Sequence, residues 1–373
     1  MKIPVFYHYL LATSVALALS GLPLASAENP IVGFNRVKCP AKSDTHVSVP
    51  LMKLPIKASK TLASAPTLAK GQATLTPAEA TEWAPNELQN THYARFTTGA
   101  LAGRWYEIVG NTEGGLTIDL NGEAGTAFAP GDAFMVVEFW TLDTLFPPGS
   151  QTTFHKSIGN LVYQQKSKLL IPNVESAGIN LPSKNIYFLA EGRWEKSAGV
   201  WKQLEAGWKL SEPGYPDAGS TILPPGLPFI IRHPAGVVAT NFEPVGRVLS
   251  SADSVALTQD PANRQDNTVA VYRPVDVLLL NAGLDEKAFA SSASHESVAR
   301  KDELLVFDNS LAGFNKSPSA IFYKNSQTWF LDEGKAGSNS PVVANTLSAS
   351  GAVIIRKSKG NSLSAFWNNQ PNY

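Results

Sequence analysis

His295-Glu296 opens the pattern that zinc proteases use. In that motif two imidazoles four residues apart share one helical face, and the glutamate between them is the general base. Here the second imidazole position is Ala299, so the metal set is incomplete and His295 is expected at the surface. The other five histidines, His8, His46, His92, His155 and His233, are scattered, with no pair at ligand spacing. No Asp-rich twelve-residue calcium loop occurs. Asp253, Asp260 and Asp266 are the carboxylates that could hold calcium in loops, or else serve as solvated turn residues. A serine nucleophile is equally unannounced: Ser350-Gly351 lacks the first glycine of a Gly-x-Ser-x-Gly elbow. Ser, His and Asp can also converge from distant positions, but neither His155 nor His233 has a recognisable local context. Glycoside hydrolysis needs two facing carboxylates. Glu107, Asp132, Glu138 and Glu191 supply the residue type without a telling arrangement. No phosphate-cradling glycine loop is present, and no cofactor is expected.

Aromatic residues carry the one hint of binding. Trp194, Trp201 and Trp208 are spaced by seven, and a hairpin could bring such rings together as a platform for the apolar face of a sugar. Trp140, Trp194 and Trp329 are expected in cores, because a buried indole supplies a large apolar surface. The candidate ligand-binding residues are therefore Trp201 and Trp208. Arg232 and Arg356 join them, although they could equally form salt bridges or face water. No catalytic or metal-ligating residue is assigned.

The elements that position these residues come in two copies. Residues 169–194 lie over residues 304–329 without a gap, at an offset of 135 (304 − 169), with paired Leu, Leu, Ala, Gly, Asn, Ile and Trp identical. The echo extends backwards, with Phe134, Val136 and Trp140 over Val269, Val271 and Val275, and Leu142, Leu145 and Phe154 over Val277, Leu280 and Phe289. After the two tryptophans the register slips, because the first copy is the longer. Both copies then end alike, at Gly226-Leu-Pro-Phe-Ile-Ile-Arg232 and Gly351-Ala-Val-Ile-Ile-Arg356. One unit is placed at 100–238 and the second at 239–373, with 28–99 an N-terminal β extension or part of the first domain. Gly178 and Gly313 should match in turns, Ile186 and Ile321 on strands, and Trp194 and Trp329 just past strand ends, packed inward.

Gly and Pro are frequent (28 and 26), and turn signals follow short strand-like runs. Asn121-Gly122 is the strongest dipeptide signal for a hairpin turn. The expected fold is mainly β: tandem duplicated β-sandwich or barrel-like domains with a few short helices, one of them at 284–290. Two copies are too few for a stacked solenoid.

Lys2, the apolar run 10–19 and Ala25-Ser26-Ala27 form the pattern of a cleaved export signal over residues 1–27. That run is shorter than the roughly 18 to 20 residues that span a bilayer. No later run is a transmembrane candidate. Positive and negative charges balance at 31 each, which leaves no basic footprint for nucleic acid. Cys39 is the single cysteine, so no internal disulfide forms and the thiol is expected to be buried.

Four stretches together resemble an uncharacterised family of exported bacterial proteins of the verrucomicrobial lineage, similar in length and internally repeated. They are residues 43–50, Phe139-Trp-Thr-Leu-Asp-Thr-Leu-Phe-Pro147, Leu304-Leu-Val-Phe-Asp-Asn309 and the tail 364–373. The resemblance implies export and the repeated layout, and brings no activity with it. The expected function is that of an exported non-enzymatic protein of the cell envelope or extracellular space. It would be surface-structural or a ligand- or glycan-binding module, with a surface glycan or other envelope proteins as partners. The alternative is an exported hydrolase acting on polysaccharide or peptide.

Overall fold

Leu169-Leu170-Ile171 and Leu304-Leu305-Val306 are continuous apolar runs, the pattern of strands covered on both faces. Each becomes the centre of a sheet. The structure, a computed structural model, describes residues 31–373 other than 126, 198, 336–337, 361–364 and 372–373. The side chains of 193–197, 200–204, 335 and 338–339 also lie outside the description. The expected export signal, residues 1–27, lies outside the described residues as well.

In the first half the strands are β1 (Ser43–Ser48), β2 (Lys168–Pro172), β3 (Ser183–Ala190), β4 (Gly207–Leu210) and β5 (Pro228–His233). They form one antiparallel sheet in the order β4-β3-β2-β5-β1. In the second half, β6 (Gln265–Ala270), β7 (Glu303–Val306), β8 (Ala320–Asn325), β9 (Thr328–Lys335) and β10 (Ala352–Lys357) repeat that order. It runs β9-β8-β7-β10-β6, with Ser338–Pro341 added beyond β9. Register is repeated too: Leu169 faces Ile231 as Leu304 faces Ile355, and Leu170 faces Ile186 as Leu305 faces Ile321. Strands dominate the described residues and helix is limited to single turns, so the fold is mainly β; the short helix expected at 284–290 is instead a non-helical turn. Each half has its own core, centred on Leu169, Trp208 and Phe229 in the first and on Leu304, Trp329 and Ile355 in the second.

The copies differ by two insertions, and both move sequence expectations. Val47 faces Phe229 as Val269 faces Val353, whereas Trp140 faces Leu223 as Val277 faces Leu347. The offset between copies therefore falls from 222 (269 − 47) to 137 (277 − 140), which marks a long insertion in the first copy between Val47 and Trp140. The inserted stretch builds a separate seven-stranded sheet from Ile56–Thr61 to Ala133–Glu138 around its own core. A boundary near residue 100 thus falls inside this sheet, between strands His92–Phe96 and Trp105–Thr112. The counterpart of Val269 is Val47 rather than Phe134. Phe134 and Val136 alternate in the same apolar fashion because they fill the inserted core.

The second insertion displaces a tryptophan. The offset of 135 holds from Phe154 to Ala190, where Ser157 N donates to Leu189 O and Ser292 N to Lys324 O, both at 2.7 Å. Asn325 then turns at once through Ser326 and Gln327, both at positive φ, into Trp329. The first copy instead inserts the hairpin Arg193–Ser197 and Val200–Leu204. Trp208 stands opposite Leu189 as Trp329 stands opposite Lys324. Trp208 packs its ring 4.9 Å from Phe154, and Trp329 packs 4.7 Å from Phe289. The structural partner of Trp329 is Trp208. Trp194 belongs to the hairpin, and its side chain is outside the described residues.

Candidate functional site

The two candidate arginines take identical positions. Arg232 donates through Nε and Nη2 to Asp44 Oδ1 and Oδ2 at 2.6 and 2.7 Å. Arg356 does the same to Asp266 at 2.6 and 3.0 Å. The loop after β7 covers the first pair, with Asn315 N donating to Asp44 Oδ2 at 2.7 Å. The loop after β2 covers the second, with Asn180 N donating to Asp266 Oδ2 at 2.8 Å. The carbonyls of Gly313 and Gly178 accept from the backbone N–H groups of Asp44 and Asp266, at 2.8 and 2.9 Å. Each loop therefore closes the outer edge of the other half's sheet, an edge that would otherwise expose unpaired backbone. Bidentate guanidinium–carboxylate pairs are the strong form of charge-assisted hydrogen bond. The paired carboxylate raises the pKa of both arginines further.

Of the candidate tryptophans, Trp208 is 1 % exposed, and its Nε1 donates to Phe146 O at 3.0 Å inside the first core. Its ring offers no face to solution. Trp201 is paired with Lys196 across the inserted hairpin, and its side chain lies outside the described residues.

Among the candidate histidines, His155 and His233 come together, edge to face with ring centroids 5.4 Å apart, and His155 Nε2 also contacts Val238 O at 2.9 Å. His46 stacks on Phe307 at 4.1 Å, and burial lowers its pKa to about 4. His233 lies between the hydroxyls of Ser167 (2.9 Å) and Thr240 (2.7 Å), and burial lowers its pKa to about 4 as well. Ser167 and His233 are at nucleophile–base distance, but both are fully buried. The second ring nitrogen of His233 meets a hydroxyl where a triad requires a carboxylate. His295 is exposed, as expected, and its Nδ1 contacts Tyr323 Oη at 2.8 Å. Asp253 pairs with Arg95, Asp266 with Arg356, and Asp260 accepts from the N–H groups of Ala262 and Asn263 in its own turn. Glu138 pairs with Lys53, Asp132 accepts from Ala129 N, and Glu191 is exposed. Among the described residues no group of three or more potential metal ligands comes together.

What sequence reasoning did not find is a cleft of about 670 Å³ where the inserted sheet meets both halves. Arg104, Trp105, Asn121 and Glu123 form its roof. Val174 and residues 224–228 come from the first half, and Ser254, Thr258, Asn267, Thr268 and Phe366 from the second. Trp105 is half-buried, held edge-on against Tyr93 and Phe139 with centroids 5.9 Å away in each case. The Arg104 guanidinium lies 3.8 Å from the Phe366 ring centroid and is fixed by Glu123 at 2.5 Å. Tyr106 Oη also donates to Glu123, at 2.8 Å, and burial raises the pKa of that phenol. The Asn121-Gly122 turn forms with both residues at positive φ, but it leads from strand Gly115–Asp119 into a loop rather than into a paired strand, so the expected hairpin is a turn alone. Both cleft carboxylates, Glu123 and Asp253, are held by arginines. The rest of the polar lining is amide and hydroxyl, namely Asn121, Ser254, Thr258, Asn267 and Thr268, with Asn267 bound to Thr258 and Ser254 to Asn368.

The repeat provides a matching groove of about 690 Å³, lined by residues 35–38 of the N-terminal segment and by 306–310, Ser348 and Ala349 of the second half. Asn309 stands there where the cleft has Val174. It accepts from His46 N and donates to His46 O, both at 2.8 Å, binding the loop to the strand. None of the lining residues of this groove comes from the inserted sheet. The roofed cleft could not be found from sequence because its walls come from three segments, joined by an insertion that has no counterpart in the second copy.

No family model matches the chain, and comparison with curated proteins and with solved structures finds no significant similarity.

Proposed function

We propose that this chain is an exported, non-enzymatic protein of the cell envelope or extracellular space that binds a neutral glycan in the roofed cleft. The observation that carries this reading is the composition of the cleft. A half-buried indole and an arginine–phenylalanine stack stand over uncharged amides and hydroxyls. Sugar rings present an apolar face to an aromatic ring and hydroxyls to such groups, so one pocket satisfies both. The residue pairing also argues against the hydrolase alternative. Glycoside hydrolysis uses two facing carboxylates, whereas Glu123 and Asp253 are each turned to a guanidinium. The export pattern at the N-terminus and the family resemblance support the compartment.

The test is binding to a panel of neutral bacterial and plant polysaccharides, followed by titration of the best oligosaccharide against Trp105→Ala. The expected loss is about tenfold or more in affinity, equivalent to about 1.4 kcal/mol, measured well below the melting temperature of the variant, which the lost packing against Tyr93 and Phe139 lowers. Binding that survives Trp105→Ala, or glycan turnover in place of retention, would remove this reading.

A further inference from the structure

The loop at residues 158–163 exposes Ile158, Leu161, Val162 and Tyr163 by 43, 44, 67 and 81 %. The duplication shows that the fold does not require them. The same loop recurs in the second copy, at the common offset, as Ala293, Glu296, Ser297 and Val298 on the same scaffold. A 3-10 turn occupies Val162–Gln164 in one copy and Ser297–Ala299 in the other. The neck is closed by Lys166 N donating to Ser157 Oγ at 2.9 Å, and by Lys301 N donating to Ser292 Oγ at 3.0 Å. One copy thus keeps the backbone with mostly polar, acidic or small residues, while the other carries four large apolar side chains into solvent. Contiguous exposed apolar surface marks an interaction site.

Charge selects the occupant. From Thr144 to Val174 the chain contains no acidic residue and carries Lys156, Lys166 and Lys168. The second copy places Asp285, Glu286, Glu296, Asp302, Glu303 and Asp308 over the corresponding stretch, alongside Lys287, Arg300 and Lys301. Glu191 hydrogen-bonds to the neck through its backbone N, at Ser157 O, and the tip itself has no carboxylate. An apolar tip flanked by Lys156 and Lys166, both reaching solvent, fits an anionic lipid surface. The side chains enter the acyl boundary and the ammonium groups meet headgroup phosphates. The neck is rigid, since Gln165 Nε2 also donates to Asn160 O at 2.7 Å, so little ordering cost opposes insertion.

We propose that residues 158–163 form a membrane-docking loop that seats this protein reversibly on anionic lipid. The proposal is independent of the glycan reading, and its test does not involve the cleft. The chain from Glu28 onward retains the whole compact unit Ile31–Tyr373. It is sedimented with vesicles of phosphatidylcholine, and with vesicles of equal parts phosphatidylcholine and phosphatidylglycerol. Expected is binding to the mixed vesicles alone, weakened by salt, and reduced about tenfold or more by Leu161→Ser with Tyr163→Ser. Val298→Ser, a change in the corresponding loop of the other copy, should bind as the parent does. All variants alter exposed residues, and unchanged melting temperatures verify their folding. Absence of parent binding to the mixed vesicles would overturn the proposal, as would equal loss in the Val298 variant. So would a dimer in sedimentation velocity that Leu161→Ser dissolves while vesicle binding is nil, since the loop would then be a contact between copies of the chain.

Discussion

Asn180 and Asn315 hold the same place in the two copies and make the same hydrogen bond in opposite directions across the molecule. Asn315 Oδ1 accepts from Arg232 Nη2 at 2.7 Å, and Asn180 Oδ1 accepts from Arg356 Nη2 at 3.0 Å. Each completes the arginine–aspartate pair of the half to which it does not belong. The contact is self-complementary in the manner of a two-fold dimer interface, although both sides lie on one chain. Both asparagines have positive φ, 53° and 47°, where an L residue other than Asn or Gly is strained.

Replacing either asparagine by alanine should therefore cost about 1–2 kcal/mol, combining backbone strain with a lost hydrogen bond. Glycine should restore the backbone part only. Urea unfolding of the Ala and Gly variants at both positions measures the two contributions. Equal values at 180 and 315 are expected.

Removing Asp44 or Asp266 should be costlier, about 3–5 kcal/mol, because each leaves a partly buried guanidinium without its carboxylate. The bridge between the inserted sheet and the second half is of the same kind: Arg95 Nη2 donates to Asp253 Oδ1 at 2.9 Å and both residues are buried. Asp253→Ala should destabilise strongly, and adding Arg95→Met should recover most of the loss by removing the stranded charge. A denaturation series on the single and double variants checks this.

Trp208→Ala and Trp329→Ala should each cost roughly 3–5 kcal/mol, the price of losing a buried aromatic side chain. Replacing residues 191–206 by Ser-Gln, the turn of the second copy, should leave the first half folded. Its near-ultraviolet circular dichroism should keep the contribution of Trp208. Collapse of that signal would show that the hairpin is structural.

Stability should depend on His46 and His233 as the pH falls. Both have folded-state pKa values of about 4, below the ordinary value of about 6.5. The unfolded chain binds the protons first. The stability these neutral rings contribute is thus complete above pH 6.5, declines through the interval from 6.5 to 4, and levels off below it. For His233, which is fully buried, the loss amounts to roughly 3 kcal/mol. His233→Gln should flatten that part of a melting-temperature profile. A parent profile flat from pH 7 to 4 would contradict the assignment.

Cys39 is fully buried, and burial pushes its thiol up to about 11. A thiol reagent at neutral pH should leave the native protein unlabelled and take up one equivalent in guanidinium chloride. Reducing and non-reducing gels should show the same monomer.

The duplication was legible because Leu169/Leu304, Gly178/Gly313, Asn180/Asn315 and Ile186/Ile321 have the same structural role in both copies. The Ile-Ile-Arg endings were legible for the same reason. Trp194 over Trp329 was an accidental match at the border of an insertion. A gap-free alignment cannot tell Trp194 from Trp208, the core tryptophan further along the chain, when only one copy carries the extra hairpin. The long insertion between Val47 and Trp140 was hidden more deeply, because its strands alternate with the same period as those it interrupts. Arg232 and Arg356 were visible as strand-end residues, but their partners were not. Asp44 and Asp266 reach them through sheet pairing, and Asn315 and Asn180 through a crossing between halves, and neither relation leaves a trace in local sequence. The cleft residues Trp105, Ser254 and Phe366 share no segment, so no motif could have joined them.

The inserted sheet also sets the order in which the halves can close. β1 is separated from its partner β5 by the insertion, so Thr45 meets Ile231 from far along the chain. Asn267 meets Ile355 over less than half that separation (355 − 267 against 231 − 45). Closing a chain loop costs more as it lengthens, and folding slows as contacts become less local. The second half is therefore the faster to complete its sheet, although the ribosome makes it last. The first half must keep β1 unpaired until β5 exists. Throughout that delay its outer edge also lacks its cover, because the loop that carries Gly313 and Asn315 belongs to the half still to come. The interval before that loop arrives is when a strand-edge chaperone, or a second nascent copy, would find this chain open.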